Sequence, residues 1–178
     1  DPELSIAERD GWLVPELERA ERDGALVVLS SHYALADVAV EGGGTMEELL
    51  LQHPLVVLVL AGHSHVNRVR WYGPADPSGF WQIETASMAD WPLQARLVEL
   101  VANGDDTLSI YTTLFDPPAP EGSLAQRALQ LAAIDLQSGW RLSDGSGEPT
   151  ARNTELLQQI PTGLTPGGVG GVRSLALP

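Results

Sequence analysis

The sequence predicts an α/β domain that runs on into an antiparallel β-meander, and three observations predict it. Two short, uninterrupted apolar runs, 25–30 and 55–60, each follow a stretch with helical periodicity, which is the pattern of strands buried in an α/β sheet. After them the texture changes to four strand-length segments joined by turns, at 66–72, 80–85, 93–101 and 107–114. Both apolar runs lead into histidine, and in an open α/β sheet ligands bind at the carboxyl ends of the strands.

Taken in order, Ser5-Ile6-Ala7-Glu8 has the form of a capping box, and Asp10 offers a second cap. Leu13, Leu17 and Ala20 then share one helical face, and Gly24 is the stop signal. Pro15 lies too early to break a helix that starts near Asp10. Glu41-Gly42-Gly43-Gly44 reads as a loop, and Thr45 caps a short helix over 46–52 that ends before Pro54. Asn103-Gly104-Asp105-Asp106 is a hairpin turn. Pro117-Pro118-Ala119-Pro120 is a rigid spacer, after which Ser123 caps an amphipathic helix with Leu124, Ala128, Leu131 and Ile134 on one side. From Asp144 onward Gly, Pro, Ser and Thr dominate, and the run 166–171 is too rich in glycine for regular structure. These shifts divide the chain into a domain over 1–116, a linker with its helix over 117–143, and a tail over 144–178.

Composition narrows the function. The net charge is −14, and all ten cations are Arg. Nucleic-acid phosphates are held by clustered cations, so this balance excludes nucleic-acid binding by charge. The longest apolar run is strand-sized, far short of the ~20 residues that span a bilayer. The absence of Cys removes disulfides, thiolate metal sites and cysteine nucleophiles. The opening Asp1-Pro2-Glu3-Leu4 carries no basic, apolar export signal and leaves localisation undecided.

Chemistry therefore concentrates on the histidines. His32 follows the first apolar run, and His63 and His65 follow the second at i, i+2 spacing behind Gly62. Neutral imidazole is a common ligand for divalent transition metals, and a glycine before the pair tolerates a tight turn that aims both rings at one point. His53, before Pro54, reads as a surface or capping residue. Trp71, Tyr72, Phe80, Trp81 and Trp91 read as core. Tyr33, beside His32, and Asn67 with Arg68, just past the histidine turn, are candidates for contact with a substrate.

Val27-Val28-Leu29-Ser30-Ser31-His32 and Leu58-Val59-Leu60-Ala61-Gly62-His63-Ser64-His65 resemble the last two motifs of the calcineurin-like metallophosphoesterases. The continuation Val66-Asn67-Arg68-Val69, with Ile83-Glu84-Thr85-Ala86-Ser87 and Asp90-Trp91-Pro92, resembles an actinobacterial-type branch of that family, and the likeness covers roughly 12–115. It implies the carboxy-terminal half of a four-layer α/β/β/α sandwich, with a site for two divalent ions (Zn, Mn or Fe) and a phosphate ester as substrate. By the same likeness His32 and His63 share one ion and His65 holds its neighbour. The family's D-x-H, G-D-x-x-D and G-N-H-[D/E] motifs are not found in this sequence, so it contains no catalytic residue of its own. His32 is followed by Tyr33 where many members carry a second histidine.

The expected function is metal-dependent hydrolysis of phosphoric esters by the full protein, with this chain inactive by itself. The alternative is a non-catalytic half-domain that binds a metal or a partner. A half-sandwich also leaves Leu26, Val28, Leu58 and Leu60 short of neighbours, so a partner is expected. That partner is the amino-terminal half as a second chain or a swapped copy, unless the glycine-rich tail serves as a cover.

Overall fold

The computed structural model describes residues 2–74, 78–139, 144–162, 164 and 172–177. The glycine-rich run 166–171 lies outside them. The elements are β1 (Glu3–Leu4), α1 (Ile6–Glu8), a π-helical stretch (Arg9–Leu13), α2 (Val14–Asp23), β2 (Leu26–Ser30), β3 (Ala39–Val40), α3 (Met46–Leu50), β4 (Val56–Ala61), β5 (Arg68–Tyr72), β6 (Phe80–Glu84), β7 (Ala95–Ala102), β8 (Thr107–Phe115), α4 (Leu124–Gln137), β9 (Thr154–Gln159) and β10 (Val172–Ala176).

The capping and stop signals act as expected except at Asp10, which lies inside the π-helical stretch, is bound by Arg9 and caps no helix. Ser5 and Thr45 each close a capping box, with Glu8 and Glu48 respectively. Gly24 ends α2 in the left-handed conformation, and the Asn103 N–H donates to the Thr107 carbonyl across the β7–β8 hairpin. His53 Nδ1 meets Glu21 Oε1 at 2.9 Å, tying the start of β4 to α2.

Tertiary pairing departs from the meander. β5 and β6 form a hairpin that joins β10, β2 and β4 in a five-stranded sheet, in the order β10-β2-β4-β6-β5. β7 and β8 pair instead with β9 in a separate three-stranded sheet. The run of four strands is thus split between two sheets. Residues 154–159 and 172–176, read from composition as tail, supply strands to both. In β9 the alternation Leu156 in, Leu157 out, Gln158 in was legible, but its glutamines and its short length masked it.

The five-stranded sheet is covered on both faces. Leu13, Leu17 and Ala20 pack with Val27, Leu29, Met46, Leu50 and Phe80 on the helix side. Leu26, Val28, Leu58 and Ile83 pack with Leu108, Ile110 and Leu156 on the other. Between β2 and β4 the register slips, with Val27 opposite Val56 but Val28 opposite Leu58. The extra residue, Val57, turns to the same side as Leu58, so one bulge reverses which residues of β4 face the helices.

The expectation of uncovered central strands fails. Leu26, Val28 and Leu58 are buried and Leu60 is half-buried, because β7, β8 and β9 fold back over that face. Among the described residues the layers are α/β/β. The outer face of the small sheet leaves Leu97, Tyr111, Phe115 and Leu157 exposed. The apolar side of α4 is also outward, with Leu124, Leu131 and Ile134 exposed, so its amphipathic pattern does not mark a buried face.

Adjacent leucines on β9 test this layering. Leu156 is 6% exposed and Leu157 is 56% exposed. Leu156→Ala is expected to cost about 2–5 kcal/mol and Leu157→Ala well under about 1 kcal/mol, read from urea unfolding midpoints.

Candidate functional site

β2 and β4 are parallel neighbours, so their carboxyl ends lie side by side. The ladder continues past the strands, with the Ser31 N–H donating to Leu60 and the Gly62 N–H donating to the His32 carbonyl at 3.1 Å. His63 follows at once. Its Nδ1 lies 3.0 Å from His32 Nε2, and both rings are exposed. Tyr33 completes the cluster, its ring centroid 4.1 Å from that of His63 and 4.9 Å from that of His32.

The turn is held in an uncommon conformation. His63 and His65 have φ of 41° and 54°, the left-handed region that costs a non-glycine residue about 1–3 kcal/mol. Gly62 does not have positive φ, and a Cβ placed there would meet nothing closer than the His32 carbonyl at 3.9 Å. The conformational freedom expected of Gly62 is therefore not what shapes the turn; the histidines themselves take the strained angles.

Two buried polar groups hold them there. Glu84, at the end of β6 and 1% exposed, accepts from Ser64 Oγ at 2.9 Å and from Arg68 Nη1 at 3.1 Å to each carboxylate oxygen. Gln82 donates to the same carboxylate and accepts from the Leu35 N–H at 2.9 Å, so the segment after His32 and the turn after β4 share one anchor. Asn67, also 1% exposed, donates to Gln94 Oε1 at 2.8 Å and accepts from the Ala86 N–H and from Arg96, each at 3.1 Å.

The segment after α4 closes over this side. The Asn67 N–H donates to the Gly145 carbonyl at 3.0 Å. A Cβ at Gly147 would come within 1.9 Å of the Asn67 carbonyl oxygen, so only glycine fits. Arg96 donates to Thr85, Thr112, Asn67 and the carbonyls of Ala151 and Arg152. Burial, with Arg152 nearby, lowers its pKa to about 10, so it stays charged at neutral pH.

The expected site residues therefore separate. His32, His63 and Tyr33 come together. His65 turns to Asp90, with Nδ1 2.8 Å from Oδ2. Asn67 is buried among its own hydrogen-bond partners, and the Arg68 guanidinium is bound to Glu84. Among the aromatic residues, Tyr72 and Phe80 are core, while Trp71 and Trp81 stack edge to face at 5.1 Å and are half-buried. Gln82 and Gln94 were not singled out from the sequence, and Glu84 and Asp90 entered only within segments that carry the resemblance. The signal for Gln82 and Glu84 was a period-2 alternation of polar residues along β6, opposite to its apolar residues Trp81 and Ile83.

Two nitrogens bound to one tetrahedral ion at about 2.0–2.1 Å stand about 3.3 Å apart. The 3.0 Å between His32 Nε2 and His63 Nδ1 fits two corners of such a site. Among the described residues, no group of three or more His, Cys, Asp or Glu side chains completes it. No protein-family model and no curated protein matches the chain.

The anchor can be tested directly. Glu84→Ala is expected to cost about 1–3 kcal/mol, because Arg68 can reach water while the Ser64 and Gln82 groups lose a buried acceptor. Urea unfolding measures the loss, and faster amide hydrogen exchange over 62–65 reports the loosened turn.

Proposed function

We propose that this chain supplies the imidazole ligands of a divalent-metal site in a phosphoric ester hydrolase, the carboxylate ligands coming from outside it. The observation that carries the proposal is the convergence of His32 Nε2 and His63 Nδ1 at the carboxyl ends of adjacent parallel strands. The phosphoester class follows from the resemblance of the Ser31-His32 and Gly62-His63-Ser64-His65 segments to metallophosphoesterase motifs. Bound ions in such a site polarise the phosphoryl oxygens and lower the pKa of water, which supplies hydroxide at neutral pH.

The chain's own residues bind and orient. His32 and His63 bring one ring nitrogen each to within 3.0 Å of the other, and Tyr33 packs against both rings. Glu84 and Gln82 keep the two turns in register. His65, half-buried beside Asp90, is the proposed ligand of the neighbouring ion. The requirement for a second half rests on chemistry, since two imidazoles leave a tetrahedral ion half-ligated. Packing makes no such demand, because the central strands are already covered.

Zinc added to the pure chain, followed by the histidine ring signals in NMR spectra, is expected to shift His32 and His63 together and with weak affinity. His63→Ala is expected to abolish the shift at His32. Unmoved signals at both residues would overturn the metal reading. Aryl phosphate hydrolysis by the chain alone is expected to be negligible with Zn or Mn; robust turnover would show that the catalytic groups lie within it.

A further inference from the structure

The sequence marks His65 by its spacing from His63 and by the family resemblance, and the structure gives it surroundings of its own. His32 and His63 face each other, and one N–H shared between their nitrogens satisfies either tautomer. His65 Nδ1 instead faces a carboxylate oxygen of Asp90 at 2.8 Å. A carboxylate only accepts, so Nδ1 must carry the proton, and in the neutral ring the lone pair is then on Nε2.

The Asp90 carboxylate is itself placed by a closed loop. The Gln94 N–H donates to the Ser87 carbonyl at 3.1 Å, the Ala89 N–H donates to Ser87 Oγ at 2.9 Å, and the Leu93 N–H returns to the Asp90 carbonyl at 2.8 Å. The His65 backbone is approached closely by the segment after α4. A Cβ at Gly145 would lie 2.6 Å from the His65 carbonyl oxygen, and Gly145 has φ of 76°. The ring thus meets Asp90, and the main chain is closely approached by Gly145, from two segments distant in sequence.

We infer that Asp90 is a positioning residue, which holds His65 in the Nδ1–H tautomer so that Nε2 is the nitrogen able to ligate. Carboxylates that accept from the far nitrogen of a ligating histidine fix its ring and raise its basicity. The consequence for a metal rests on the function proposed above, whereas the tautomer belongs to the chain alone.

Long-range proton–nitrogen NMR spectra of the full chain, recorded at alkaline pH where imidazole is neutral, separate the two. In the native chain His65 is expected to show the Nδ1–H pattern. Asp90→Ala should move it to the Nε2–H form that exposed imidazoles favour. Asp90→Asn keeps the shape but can offer Nδ1 a donor, so it should give a partial move even if the alanine variant folds poorly. His53, whose Nδ1 faces Glu21, serves as the internal control and should keep its pattern throughout. An Nε2–H pattern for His65 in the native chain, or no change in either variant, would overturn the inference. With zinc as the probe, Asp90→Ala should weaken any shift of the His65 signals by about 10–100-fold in affinity. If the tautomer responds to Asp90 but zinc never moves His65, the positioning role stands and the metal role of His65 falls.

Discussion

Parallel pairing of β2 with β4 is the constraint on which the candidate site depends. Parallel strands bring their carboxyl ends to the same edge, and the backbone bonds from Ser31 to Leu60 and from Gly62 to His32 carry that alignment past the strands. A bulge at Val57 sets which side chains face the helices and which face the small sheet. Without that extra residue the apolar residues of β4 on one side of the bulge would exchange faces. The histidines would then follow a strand whose own packing was frustrated.

Beneath the histidines the interior is polar, and its groups are matched. Glu84 is almost fully buried and would be costly alone, but Ser64, Gln82 and Arg68 satisfy it. Asn67 and Arg96 form a second matched set, and among the described residues the acceptors of Arg96 are neutral oxygens. These networks specify one arrangement more strictly than an apolar core, because each lost partner strands a buried group. The strained angles of His63 and His65 persist because the surrounding bonds over-determine them.

The two sheets also bear on whether the chain needs a companion to fold. A half-sandwich with a bare inner face would need a companion in order to fold. Here β7, β8 and β9 provide that face, and β10 pairs with the outer edge of β2. The core around the central strands is closed by the chain's own residues. In the proposed metal-bound reading a companion would be called for by coordination number and not by packing, while α4 and the outer sheet leave apolar residues exposed.

What the sequence determined by itself was local. Capping boxes at Ser5 and Thr45, the stop at Gly24, the hairpin at Asn103, the apolar runs of β2 and β4 and the histidines at their ends all depend on contacts within a few residues. The tertiary structure decided whatever joins distant segments. Leu35 meets Gln82 across 47 positions, Asn67 meets Ser146 across 79, and His65 meets Asp90 across 25. Periodicity shows that a residue faces inward but not what it will face, so Asn67 could be read as a substrate contact and 144–178 as a tail. Only the folded chain shows that a glycine at 147 must lie against Asn67, that β9 completes the second sheet, and that His65 belongs with Asp90 rather than with His63.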